Sequence, residues 1–118
     1  MIGNRFILLQ GVEMKRVLDT SEVLGKVDTP DGTCEVCASA DANYDDTAGR
    51  LVVRLESFLR TTDLRSREKH VPAHWLPKPE TITESVASDE TTEAARNIFH
   101  RWVRKVRQAA PSLHSPTF

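Results

Sequence analysis

The order of apolar and polar positions along the chain predicts strands first and helices later. Residues 22–27 and 33–38 contain β-branched side chains, and the segment Pro30-Asp31-Gly32 lies between them. Proline presets φ for the first central position of a turn, and glycine accepts the positive φ that follows. We therefore predict a β-hairpin here, with further strands over 12–18 and 5–9.

The strongest periodicity is helical and covers residues 89–110. At 100° per residue, its apolar side chains fall within one arc of about 140°. These side chains are Ala95, Ile98, Phe99, Trp102, Val103, Val106, Ala109 and Ala110. Acidic residues follow the predicted N-cap Ser88, and basic residues precede Pro111, so both groups complement the helix dipole. We predict a helix that buries one face and leaves the other in water.

A second helix is predicted over residues 47–61. Its apolar positions follow the i, i+4, i+7 and i+8 spacing of a helix face. They are Leu51, Val52, Leu55, Phe58 and Leu59. The alternation from Leu51 through Val53 also fits a strand, but it stops at Ser57. The helix is therefore the favoured interpretation.

Together these patterns predict an α+β fold. A small antiparallel N-terminal sheet of three or four strands packs against two helices, the longer one C-terminal. One domain is expected over residues 1–110, followed by a flexible tail over 111–118. The proline-punctuated stretch from 61 to 88 is predicted to be a connection. Met14 is an alternative natural start, which would make residues 1–13 an upstream extension.

Composition limits the classes of partner. Sixteen Lys and Arg against seventeen Asp and Glu give a net charge of −1, so no global field attracts nucleic acid or membranes. The charges are uneven, because residues 1–49 hold four basic and nine acidic groups, whereas 50–79 hold seven basic and three acidic groups. Complementarity within the fold is the favoured explanation, and a basic docking surface is the alternative.

The longest strictly apolar run in the sequence is Phe6-Ile7-Leu8-Leu9. It is shorter than the core of a secretory signal and far shorter than the roughly twenty residues of a membrane helix. We therefore expect a cytoplasmic protein without membrane contact, whose cysteines stay reduced.

Two cysteines and two histidines form a candidate zinc set, namely Cys34, Cys37, His70 and His74. The gap between the two pairs is far longer than in a zinc finger, and Pro72 separates the histidines. A redox site is a second alternative, although it requires cations or a helix N-terminus beside the thiols. Two small apolar residues in a strand are the favoured interpretation.

The polar face of the C-terminal helix is basic, which makes nucleic-acid binding an alternative function. The side chains that would contact phosphates are Arg96, Arg101, Arg104 and Arg107. Against this, the first half of the chain is acidic, and ordinary solvated helices often carry such a face.

Three apolar side chains are candidates for contacting a protein partner. Trp75 and Leu76 lie between prolines in the long connection and anchor either their own core or a partner, with their own core favoured. Trp102, together with Ile98 and Phe99, forms an apolar stripe that exceeds what a small sheet can cover. A protein partner or a second copy of the chain would then cover the remainder.

No known catalytic motif occurs in the sequence, so we expect a protein that is not an enzyme and has no cofactor, zinc being the alternative. The leading hypothesis is a small binding or regulatory module that acts through protein contacts, either with a protein partner or with a second copy of itself. Nucleic-acid binding and a zinc or thiol site are the alternatives.

Overall fold

The computed structural model describes residues 7–9, 12–30, 32–61, 70–71, 73–111 and 113. Within these ranges the chain forms one six-stranded antiparallel sheet and one long α-helix. The strands are β1 (Ile7–Leu9), β2 (Val12–Thr29), β3 (Gly32–Asp45), β4 (Arg50–Thr61), β5 (His70–Val71) and β6 (Glu80–Ser85). A 3₁₀ turn (Ser88–Glu90) leads into α1 (Thr91–Ala109). The α+β class is confirmed, but the prediction of two helices is wrong.

Strands β1 to β4 are neighbours in chain order, and two strands share the outer edge of β4. Strand β6 pairs with the first half of β4, from Arg50 to Leu55. Strand β5 pairs with Leu59 and Arg60, near the other end. Three positions of β4 between these two partners therefore have no strand on that side among the described residues.

The predicted turn between β2 and β3 is confirmed. Thr29 pairs with Gly32 across a two-residue turn, and Gly32 has a φ of +109°, a value that favours glycine. A second tight turn joins β3 to β4, where Gly49 has a φ of +64°. There the carboxylate of Asp45 accepts hydrogen bonds from the backbone N–H groups of residues 47 and 48, at 3.0 and 3.1 Å.

The predicted helix over 47–61 is wrong, because these residues form the β3–β4 turn and β4. The side chains of Leu51, Val53, Leu55 and Leu59 point toward α1 and are at most 1% exposed. Residues four positions apart lie on the same face of a strand and also on the same face of a helix, so this spacing fits both structures. Ser57 belongs to the same face, and its hydroxyl donates to the carbonyl of Pro77 at 3.3 Å.

The predicted connection between 61 and 88 contains two strands, β5 and β6, that the sequence analysis missed. Ile82 of β6 pairs with Val53 and packs against the core. Trp75 and Leu76 also pack against the core in their half-buried positions. This placement agrees with the interpretation of Trp75 as an anchor in its own core.

Helix α1 begins two residues later than predicted and without the predicted cap. The Ser88 side chain makes no capping hydrogen bond; instead, the Thr91 hydroxyl donates to the Ser88 carbonyl at 3.2 Å. The predicted apolar face is buried from Ala95 to Val106, whereas Ala109 is exposed. No helix in the described part of the chain is long and apolar enough to cross a bilayer.

The core lies between α1 and one face of the sheet. Strand β3 runs beneath the helix and presents three small side chains to it, Ala38, Ala40 and Ala42, each at most 2% exposed. Because alanine extends only a methyl group from the strand, the larger side chains of α1 can approach the backbone of the sheet. The opposite face of the sheet carries most of its charge.

The uneven charge along the sequence corresponds to neighbouring strands in this sheet. Three carboxylates of β3, those of Glu35, Asp41 and Asp45, lie opposite three arginines of β4 in the strand register. The pair of Glu35 with Arg60 is the closest, with N–O distances of 2.7 and 3.0 Å. Three of the seven basic residues of the middle segment are thus placed beside acidic residues of the neighbouring strand, as complementarity within the fold requires.

Candidate nucleic-acid interface

Helix α1 is fixed to the sheet by Trp102. This side chain is only 2% exposed, and its indole N–H donates to the carbonyl oxygen of Glu56 at 2.8 Å. Glu56 lies opposite Ser39 of β3 in the strand register. By donating to the carbonyl of Glu56, the indole holds α1 against β4.

Because Trp102 is buried, its side chain is not exposed to a partner in this fold. Ile98 and Phe99 are also buried, at 1% and 6% exposure. The sheet and the segment that follows β5 cover the whole stripe of large apolar side chains. A partner could reach Trp102 only after α1 had separated from the sheet.

Two cations lie on the side of α1 that faces β6, and we call Arg101 and Lys105 the inner flank. The Arg101 guanidinium lies 3.6 Å from the carboxylate of Glu84. The Lys105 ammonium forms an ion pair with Glu80 and lies 5.7 Å from the centre of the Trp102 ring. Carboxylates of β6 therefore neutralise the inner flank.

At 100° per residue, the other exposed basic side chains of α1 lie between about 60° and 180° around the helix from the inner flank, and Arg104 is the nearest of them to Arg101. We call this set the outer flank; it consists of Arg96, His100, Arg104 and Arg107. All four side chains are exposed, and none forms an ion pair with any residue that the structure describes. Glu93 lies on the same side, one turn before the first arginine.

The outer flank has a shape suited to an extended anion. From Arg96 to Arg107 the helix rises about 16 Å, at 1.5 Å per residue. Guanidinium groups bind phosphate through two parallel N–H donors and stay charged at all physiological pH values. Since α1 is held by its buried face, these side chains project from a rigid support.

The structure does not bring the candidate zinc ligands together. Cys34 points into the core beneath α1, and Cys37, three positions later in the same strand, points to the opposite face of the sheet. His74 is exposed in the turn after β5, and the side chain of His70 lies outside the described residues. The described part of the chain contains no group of three residues placed to hold a metal ion.

Two clefts flank the start of α1. The larger, about 400 Å³, lies beside the end of β6 and is lined by Glu90, Glu93 and Asn97 among others. The smaller, about 280 Å³, lies between α1 and the start of β2, where Lys15 forms a 2.6 Å ion pair with Asp46. In the smaller cleft the charge of Lys15 is thus balanced within the fold.

Glu80 and Glu84, which divide the helix surface, are not among the residues predicted from the sequence. A signal was present, since positions 80, 82 and 84 alternate with two threonines, as one face of a strand would. Recognising β6 would have placed both carboxylates beside α1. Arg101 would then have been distinguished from the arginines of α1 that have no ion pair within the described part of the chain.

Comparison of the chain with family models, with curated proteins and with solved structures found no match.

Proposed function

We propose that this protein is a non-catalytic nucleic-acid-binding module that contacts phosphates through the outer flank of α1. The observation that carries the proposal is the exposure of three arginines that have no ion pair with any described residue, on one side of a rigidly held helix. Similar cations on the inner flank, by contrast, are neutralised by β6. The outer flank is thus the part of α1 with charge available for an anionic partner.

The net charge of −1 shapes how such a protein would bind. The chain as a whole does not attract a polyanion, so attraction is confined to one side of α1. Three phosphate contacts predict a slope of log K against log salt of about −2 for a single strand and about −3 for a duplex. Binding should therefore be modest in affinity and sensitive to salt.

The hypothesis of a module that acts through the apolar stripe of α1 has less support. Its motivation was a surplus of apolar surface around Trp102, and in the fold this surface is buried. Trp75 and Leu76 are half-buried against the core, which leaves them less surface for a partner.

The test is titration of labelled single-stranded and duplex oligonucleotides with the full chain at several salt concentrations. The double substitution Arg104→Gln with Arg107→Gln should weaken binding about tenfold and flatten the salt slope, because two phosphate contacts are lost. The matched control is Arg50→Gln with Arg54→Gln, which changes the net charge equally on the opposite face of the sheet. It should leave binding within about twofold.

Two results would contradict this proposal. The first is no binding of either oligonucleotide at low salt. The second is an equal loss in the control pair, which would show attraction to net charge rather than contact with α1.

A further inference from the structure

The outer edge of β2 is the longest exposed strand edge in the described part of the chain. Strand β2 has 18 residues and pairs with β3 on one side. On the other side β1 is its partner among the described residues, and it reaches only from Val12 to Met14. Beyond Met14 this edge presents backbone donors and acceptors that a further strand can pair with.

The strand register determines which residues of β2 offer these groups. Thr29 and Gly32 flank a two-residue turn, so they exchange hydrogen bonds, and alternate positions of β3 do the same. The remaining residues of β2 direct their N–H and C=O groups to the outer edge. Beyond Met14 they are Arg16, Asp19, Ser21, Val23, Lys26 and Asp28, and β2 has one extra residue at each of two β-bulges, Val17 and Leu24. Met14 belongs to the same set and is indeed paired with Ile7 of β1.

This outward set is complementary to itself in one antiparallel register. With a two-fold axis through Glu22, and with the extra residue at each bulge left unpaired, Asp19 lies opposite the second copy's Lys26, and Arg16 lies opposite the second copy's Asp28. Within one chain Arg16 also forms exposed ion pairs with Asp19 at 3.2 Å and with Asp41 at 3.5 Å, so the contacts between copies would extend this surface network. On the helix side of the same ladder, Leu18 lies opposite the second copy's Val27. By symmetry each of these pairs occurs twice, which gives four pairs of opposite charge and two apolar pairs.

The neighbouring registers are unfavourable. Outward-facing residues must meet outward-facing residues, so the pairing can shift only by a whole repeat of the ladder. A shift in one direction places Arg16 opposite Lys26, and a shift in the other places Asp19 opposite Asp28. Both shifts replace attraction by repulsion, so one register is specified.

We propose that a second copy of this chain pairs along β2 in this register, so that the two sheets continue into one another as a symmetric dimer. The inference does not depend on the proposed function, because it concerns the sheet edge rather than α1. Such a two-fold axis is perpendicular to the sheet, so both α1 helices lie on the same face. At the axis Glu22 lies opposite Glu22 of the second copy, and this contact between like charges weakens the interface.

The experiment is sedimentation of the full chain over a range of concentrations, without nucleic acid. The wild type should form a dimer, and Lys26→Asp should weaken it about tenfold because two attractive pairs become repulsive. Exchanging both charges, Asp19→Lys with Lys26→Asp, should restore the wild-type dissociation constant within about threefold. Glu22→Gln should tighten the dimer by about threefold, since it removes the like-charge contact on the axis.

The control is Lys78→Asp, which makes the same change of charge at an exposed site away from β2. It should leave the dimer unchanged. A chain that is monomeric at all concentrations, a double exchange that fails to restore pairing, or an equal effect of Lys78→Asp would each overturn the proposal. Folding of every variant is checked by circular dichroism, so that loss of structure is not mistaken for loss of pairing.

Discussion

The two flanks of α1 carry the same kinds of side chain and differ in what lies beside them. On the inner flank, Arg101 and Lys105 are paired with carboxylates of β6. On the outer flank, arginines such as Arg104 and Arg107 have no ion pair with any residue in the described ranges. A count of basic residues on a helix therefore says little about binding until the neighbouring strand is known.

The largest effect is expected from removing the Trp102 side chain, which holds α1, and with it both flanks, against the sheet. Trp102→Ala should lower the free energy of unfolding by about 3–5 kcal/mol, because it leaves a cavity between α1 and β4. It also removes the indole donor from the Glu56 carbonyl. Denaturant unfolding followed by circular dichroism gives the value. Trp102→Phe serves as the control that keeps a ring in the site, and a loss below about 1 kcal/mol for Trp102→Ala would contradict the packing described.

The second largest effect is a difference between the two flanks in their contribution to oligonucleotide affinity. Removing both inner-flank ion pairs whole, with Arg101→Gln, Lys105→Gln, Glu80→Gln and Glu84→Gln, should weaken oligonucleotide binding by less than about twofold, since the net charge does not change. The outer-flank pair, Arg104→Gln with Arg107→Gln, should weaken it about tenfold in the same titration. Equal losses of affinity would contradict the distinction between an inner flank neutralised by β6 and an outer flank available to an anionic partner.

The smallest effect concerns the free energy of unfolding, to which the inner flank contributes more than the outer flank. Removing both inner-flank charges should cost roughly 0.5–1 kcal/mol, because both ion pairs are partly exposed to solvent. The outer-flank substitutions should change the free energy of unfolding by less than about 0.5 kcal/mol. A double-mutant cycle between Lys105 and Glu80 measures the coupling, and a coupling of zero would contradict the pairing.

Local signals in the sequence identified the parts of the fold that depend on few residues. The turn at Gly32 follows from proline and glycine in fixed positions, and α1 follows from a long apolar arc that ends at a proline. Strand β4 was mistaken for a helix because leucines four residues apart fit both periods. Only the partner strands decide between them, and those partners are distant in sequence.

The candidate site was predicted in part. The sequence identified all the arginines of α1, but it grouped Arg101 with Arg104, whereas in the fold Arg101 pairs with Glu84 and Arg104 has no ion pair with a described residue. The separation depends on β6, a short strand whose threonines resemble a polar loop. The apolar stripe around Trp102 is likewise predicted to exceed what a small sheet can cover. In the fold, the alanines of β3 let α1 approach the sheet closely enough to bury it, and their place beneath the helix depends on strand pairing that the sequence alone does not give.

The position of α1 after all the strands has a consequence for biosynthesis. The strands of the sheet leave the ribosome first, yet their apolar face is covered by the helix that follows them. Until that helix has emerged and packed, the nascent sheet exposes this apolar face, and chains with such surfaces aggregate. A chain truncated before Trp102 should therefore aggregate rather than fold into a smaller working protein.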